Sequence, residues 1–139
     1  MSPKTMVFIN FFGSIALIAI IVCVIMFAGG TNVEFEPDSF EVKGTFAGSE
    51  EVDIEDITSV SLIDTPANDE RSKGFSNKKY RGGIYINDNH EVYAMYVRLD
   101  NDTAIRVVHE DGEILVFNLK SKEDTEKTYE RILTMAGLA

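Results

Sequence analysis

The sequence predicts a mainly β domain of seven antiparallel strands closed by one C-terminal α-helix, carried behind a single transmembrane helix. Three observations predict it. Met6 to Ala28 is a 23-residue run without a charge. Between Phe40 and Leu119, short segments alternate apolar and polar residues and are separated by turn-forming residues. From Ser121 to Gly137 the apolar residues fall instead at helical spacing.

The apolar run comes first. Only Asn10, Gly13 and Ser14 interrupt it. At a rise of about 1.5 Å per residue it reaches roughly 35 Å, beyond the roughly 30 Å of a hydrocarbon core. In lipid a single open segment satisfies its backbone only as a helix. The alternatives are a buried core helix and a cleaved signal peptide, for which Ala28, Gly29 and Gly30 offer small residues at a cleavage site. Its apolar region is usually only about 7–15 residues, so the length favours an anchor. Cys23 follows Val22, which does not fit a lipoprotein signal. Lys4 and the α-amino group precede the run, whereas Glu34, Glu36 and Asp38 follow it. The positive-inside bias therefore places the N-terminus in the cytoplasm and the domain outside. Gly29, Gly30, Thr31 and Asn32 end the helix, which gives an anchor over 1–30, an acidic linker with Pro37 over 31–39 and a domain over 40–139.

The strands follow in order. Phe40 and Val42 open the first, residues 44–49 make a turn, and Val52 and Ile54 mark the second. Thr58 to Ile63 is the third. Residues 64–80, with Pro66, Gly74 and several polar side chains, read as a long loop, a feature that is often functional in a compact domain. Arg81 to Ile86, Glu91 to Leu99, Thr103 to His109 and Ile114 to Leu119 are the remaining four. Asn87–Asn89 and Asp100–Asp102 separate the first three of these, and Asp111-Gly112 is a tight-hairpin signal. The helix opens with Ser121 and Asp124 at capping-box spacing. It lays Tyr129, Ile132, Leu133 and Ala136 on one face and stops at Gly137.

Composition narrows the function classes. The 139 residues carry a net charge of -10, all of the acidity lying beyond the apolar run, and such a surface repels nucleic acid and anionic lipid headgroups unless a local basic patch acts against the global field. The single cysteine excludes a disulfide framework within the chain, and no Cys/His cluster has zinc-ligand spacing. His109-Glu110 has no second histidine four residues on, and His90 falls in a turn, so both histidines read as structural. Asp100-Asn101-Asp102 lacks the glycine and distant glutamate of a calcium loop. There is no serine elbow and no phosphate-cradling glycine loop. No acid/base, metal or cofactor site assembles from the sequence, which favours a non-catalytic module.

The one concentration of positive charge is Arg71, Lys73, Lys78, Lys79 and Arg81, around and within the long loop. These five are the candidate ligand-binding residues, for anionic lipid headgroups or an acidic segment of a protein partner. The plain alternative is a solvated loop that offsets an acidic domain, with Arg71 paired internally.

Several segments, taken in order, carry a resemblance. Ile54 to Leu62 leads into a loop with Asp64 and Pro66, followed by Arg71-Ser72-Lys73-Gly74 and by Arg81-Gly82-Gly83 opening a strand. Tyr93 to Val97 comes next, and Phe117-Asn118 precedes the last helix with Thr125, Thr128 and Tyr129. This order resembles the bacterial pleckstrin homology (PH-like) domains that follow N-terminal membrane helices, over about residues 40–136. The resemblance implies a seven-stranded antiparallel barrel plugged by the C-terminal helix and says little about ligand; with no site elements in the sequence, the expected role is membrane-tethered binding or scaffolding without a cofactor. Phosphoinositide-binding members carry several cations on the first strand and its following turn; from Phe40 to Glu51 this chain has only Lys43. A structural subunit that contacts partners through its anchor is the next expectation, and an enzyme with an unrecognised site the last.

Overall fold

The computed structural model describes residues 2–27 and 30–139. Helix α1 spans Pro3–Phe27. Its expected end at Gly29, and the small residues Ala28 and Gly29 of a cleavage site, lie outside the described residues. Nine strands follow among the described residues: β1 Thr31–Phe35, β2 Ser39–Gly44, β3 Gly48–Asp53, β4 Ser59–Asp64, β5 Glu70–Ser76, β6 Tyr80–Ile86, β7 Val92–Arg98, β8 Thr103–His109 and β9 Glu113–Phe117. A single 3-10 turn, Ile54–Asp56, joins β3 to β4, and helix α2, Lys122–Ala136, comes last.

The seven-stranded barrel is corrected on three points. The strands form two separate sheets, β1-β2-β3 and β4-β8-β9-β7-β6-β5, and no barrel closes. Pairing is not all antiparallel, because β9 returns from the β8–β9 hairpin to lie parallel to β7, matching Ala94–Tyr96 with Leu115–Phe117. Two strands lie where none was expected. Residues 31–39, read as a linker, hold β1, and the loop over 64–80 holds β5. With α1 and α2 the chain is mixed α/β rather than mainly β.

β1 belongs to the domain for a physical reason. Val33 and Phe35 pack on the core while Asn32 and Glu34 face water, and the Thr31 hydroxyl donates to the Tyr96 carbonyl at 2.9 Å. The acidic residues that made this segment look like a linker occupy only its outward positions.

The core has two parts. Phe40, Val42 and Val52 of the small sheet pack with Ala94, Tyr96, Ile105, Val107, Leu115 and Phe117 of the large sheet and with Ile132 of α2. On the opposite face of the large sheet, Tyr85, Tyr93, Met95, Val97, Ala104 and Val116 form a second cluster. β7 therefore buries side chains on both faces, which explains its nearly continuous apolar run.

α2 follows the sequence closely. The Ser121 hydroxyl accepts from the Asp124 backbone N–H at 3.1 Å, and Ile132 is fully buried while Tyr129, Leu133 and Ala136 are half-buried. Gly137 caps the other end at φ +69, its N–H reaching the Leu133 and Thr134 carbonyls. Space around it is open, so a methyl group there meets no atom. Gly137→Ala should therefore cost only the left-handed conformation, about 1 kcal/mol. Thermal melting followed by circular dichroism would show a drop of a few degrees with the fold retained.

Candidate functional site

The five expected cations do not form one cluster. Arg71 and Lys73 lie on β5, Lys78 and Lys79 in the β5–β6 turn, and Arg81 on β6. The β5–β6 register slips between Arg71 and Lys73, so Arg71 pairs with Tyr85 whereas Lys73 pairs with Ile84. Tyr85 and Ile84 point to opposite faces. The slip thus sends the two cations to opposite sides of the sheet.

Arg81 is half-buried and engaged within the domain. Its guanidinium sits 4.5 Å from the centre of the Tyr85 ring and donates to the Asp69 carbonyl. The Asp69 carboxylate in turn accepts from the Tyr93 hydroxyl. Burial and the adjacent Asp69 hold the Tyr93 phenol far above its ordinary range. Burial likewise raises Tyr85, with Arg81 opposing. Residues 65–69 join β4 and β5, the two opposite edges of the large sheet, and Asp69 fastens this strap over the second core cluster. Arg71 stays exposed on the same face, donating to the Ser76 hydroxyl at 2.8 Å. That leaves Lys73, Lys78 and Lys79 turned to solvent elsewhere, with Lys79 held through its backbone to Asn77 and Leu99.

Lys73 lies beside the β2–β3 turn, at the end of the domain where the chain enters from α1. The Gly30 carbonyl accepts from the Thr45 N–H at 3.3 Å, and Thr31 pairs with Gly44. The β2–β3 turn is therefore fixed beside the entry point. At its tip Phe46 takes φ +55 and is 64% exposed. Its ring meets Phe75 of β5 edge-on at 5.4 Å, and Phe75 lies tilted against Tyr80 at 6.4 Å between ring centres. Phe46 and Lys73 line one open groove of about 480 Å³, with Gly83, Tyr96 and Glu50 on its walls. Phe46 was not singled out from the sequence, because an isolated phenylalanine in a turn gives no periodic signal.

A second group was also missed. Glu50 of β3, His109 at the end of β8 and Glu113 at the start of β9 bring one imidazole nitrogen and two carboxylate oxygens within 4.8 Å of one another. His109 is 1% exposed, and its Nε2 makes no hydrogen bond. The Glu50 carboxylate lies 3.9 Å from that nitrogen. Burial raises the Glu50 carboxyl above its usual range; His109 opposes this, and Glu113 and Glu110 add to it. The Asp111-Gly112 hairpin signal could have placed His109 opposite Glu113, as the β8–β9 register does. Nothing in the sequence brings Glu50 to them. The chain was compared with protein-family models, curated proteins and solved structures, and none of them matches it.

Proposed function

We propose that this chain is a membrane-tethered, non-catalytic binding module whose domain rests on the headgroup layer and presents its outer surface to a protein partner. α1 is long and apolar enough to cross a bilayer, and a signal sequence meets the same description. The anchor reading is supported by its surface. Phe8, Ile9, Phe11, Phe12, Ile18 and Ile20 are all exposed, so over Pro3–Cys23 the domain offers this helix no partner and lipid does. The Ser14 hydroxyl donates to the Asn10 carbonyl at 2.9 Å, which removes one polar group from the apolar medium.

The observation that carries the proposal is the join. Gly30, three residues past the end of α1, is hydrogen-bonded to the turn that exposes Phe46. A helix that exits the bilayer there holds Phe46 at the interface, where burying such a ring stabilises by about 2 kcal/mol. Lys73, Lys78 and Lys79 supply the charge for anionic headgroups, each worth about 1 kcal/mol near such a surface. The PH-like kinship is supported by the strand-rich body and its closing helix. The parallel β7–β9 pair and the open sheets depart from it, and the proposal does not depend on it. Lys4 against Glu34, Glu36 and Asp38 favours a domain outside the cytoplasm.

The test uses the full chain in nanodiscs. Phe46→Cys, made in a Cys23→Ser background, is labelled with an environment-sensitive fluorophore. Emission should shift to the blue in discs containing phosphatidylglycerol. Combined Lys73→Glu, Lys78→Glu and Lys79→Glu should reverse much of that shift. A water-like spectrum in every lipid would remove the headgroup contact. Asn89→Cys, at the exposed β6–β7 turn, should react with an impermeant thiol reagent added to intact cells. Protection there would reverse the orientation.

A further inference from the structure

We propose that Glu50, His109 and Glu113 form a binding site for one divalent first-row transition-metal ion, of which Zn²⁺ is the representative, bridging the two sheets. Two independent features meet there. The first is geometric: three ligand atoms from three strands lie within 4.8 Å of one another. The second is an unmet need. His109 Nε2 is buried, makes no hydrogen bond and lies beside the two carboxylates. A buried imidazole nitrogen left without a partner is costly, and it is either paired or ligating in a stable protein.

The spacing favours a ligand over a direct pair. At 3.9 Å, Nε2 and the Glu50 oxygen are too far apart for a hydrogen bond. Two ligands on one tetrahedral Zn²⁺, each about 2.1 Å from it, stand roughly 3.4 Å from each other. The pair needs only a small contraction to reach that. Glu113 is exposed, so its side chain can swing to close the third side. Charge points the same way. Glu110 adds a further carboxylate near Glu50, and a dication relieves the crowding of these like charges.

Donor chemistry sets the class of ion. One imidazole with two carboxylates suits Zn²⁺ and its neighbours; Mg²⁺ and Ca²⁺ prefer oxygen alone. Three protein ligands leave a coordination position for water or an outside group. Glu50 belongs to the small sheet and the other two ligands to the large one. An ion there would join two sheets that share no strand pairing.

The full chain, purified in detergent and stripped with a chelator, is titrated with Co²⁺ as the visible probe and then with Zn²⁺. Saturable d–d absorption at one ion per chain, displaced by Zn²⁺, is expected, together with a Zn²⁺-dependent rise in melting temperature. Glu113→Gln changes an exposed side chain and should fold; it and Glu50→Gln should each weaken binding at least about tenfold. His90→Ala, in an exposed turn, should bind as the parent does. Absence of a saturable Co²⁺ spectrum, or equal affinity in the parent and both glutamate variants, would overturn the site and leave His109 as a core residue facing Glu50.

Discussion

Gly83→Ala should unfold the β5–β6 edge and cost about 4 kcal/mol or more, enough to threaten a domain of ordinary stability. Gly83 faces Gly74 across the strand pair, and both take extended but positive φ, +129 and +128. A Cβ on Gly83 would stand 2.1 Å from the Lys73 carbonyl oxygen and 2.6 Å from the Gly74 Cα. Both obstacles are backbone, so neither can rotate away. The change thus combines a conformation that L residues rarely adopt with a collision that only strand separation relieves. Gly112→Ala is the control. That glycine also has positive φ, +87, but no atom lies within 4 Å of its Cβ position, so only about 1 kcal/mol is expected. Thermal melts followed by circular dichroism measure both. A Gly83→Ala protein melting within a few degrees of its parent would show that β5 does not press against β6 in this way.

Asn118→Leu should be nearly as damaging, at about 3–5 kcal/mol. Asn118 has no solvent exposure and serves as the hub of a polar knot. Its Oδ1 accepts from the Arg98 N–H at 2.7 Å, and its Nδ2 faces the Arg98 and Asn101 carbonyls at 3.0 and 3.2 Å. The Thr65 hydroxyl stands at 3.3 Å from the same nitrogen and itself donates to the Asn101 carbonyl. Asn101 continues the knot into α2 by donating to the Thr125 hydroxyl at 3.0 Å. Leucine matches the volume but leaves several of these groups unpaired. Asn118→Asp is the sharper test, because it keeps Oδ1 and replaces the donor with an oxygen that faces three other oxygens. Urea denaturation should find both variants strongly destabilised. A leucine variant within about 1 kcal/mol of the parent would mean that the knot is satisfied by water.

The elements that could be read from the sequence are those whose own residues specify them. α2 carries its cap, its apolar face and its stop, and β6 to β9 carry runs rich in Tyr, Val, Ile and Phe with turns between them. β5 has none of this. Its Glu-Arg-Ser-Lys-Gly-Phe-Ser sequence is polar because it is an edge strand with only Phe75 facing inward. β1 does alternate, but Glu34 and the nearby Pro37 outweighed Val33 and Phe35. The expected barrel failed because neighbouring strands were assumed to pair in sequence, whereas β9 inserts between β8 and β7. The candidate site divided for a related reason. Counting cations along the chain cannot see a register slip that puts Arg71 and Lys73 on opposite faces, nor the ring of Tyr85 that holds Arg81. The Glu50–His109–Glu113 group depends on one sheet lying over the other, which local pattern does not encode.

The short passage from α1 into β1 has a consequence for how such a domain would meet its partners. Only three residues separate Phe27 from Thr31, a path of at most about 14 Å. A leash of that length leaves no freedom to fish in the surrounding fluid. With α1 in the bilayer, encounters become a matter of lateral diffusion, and a partner must itself ride in the membrane or be brought to within a few nanometres of it.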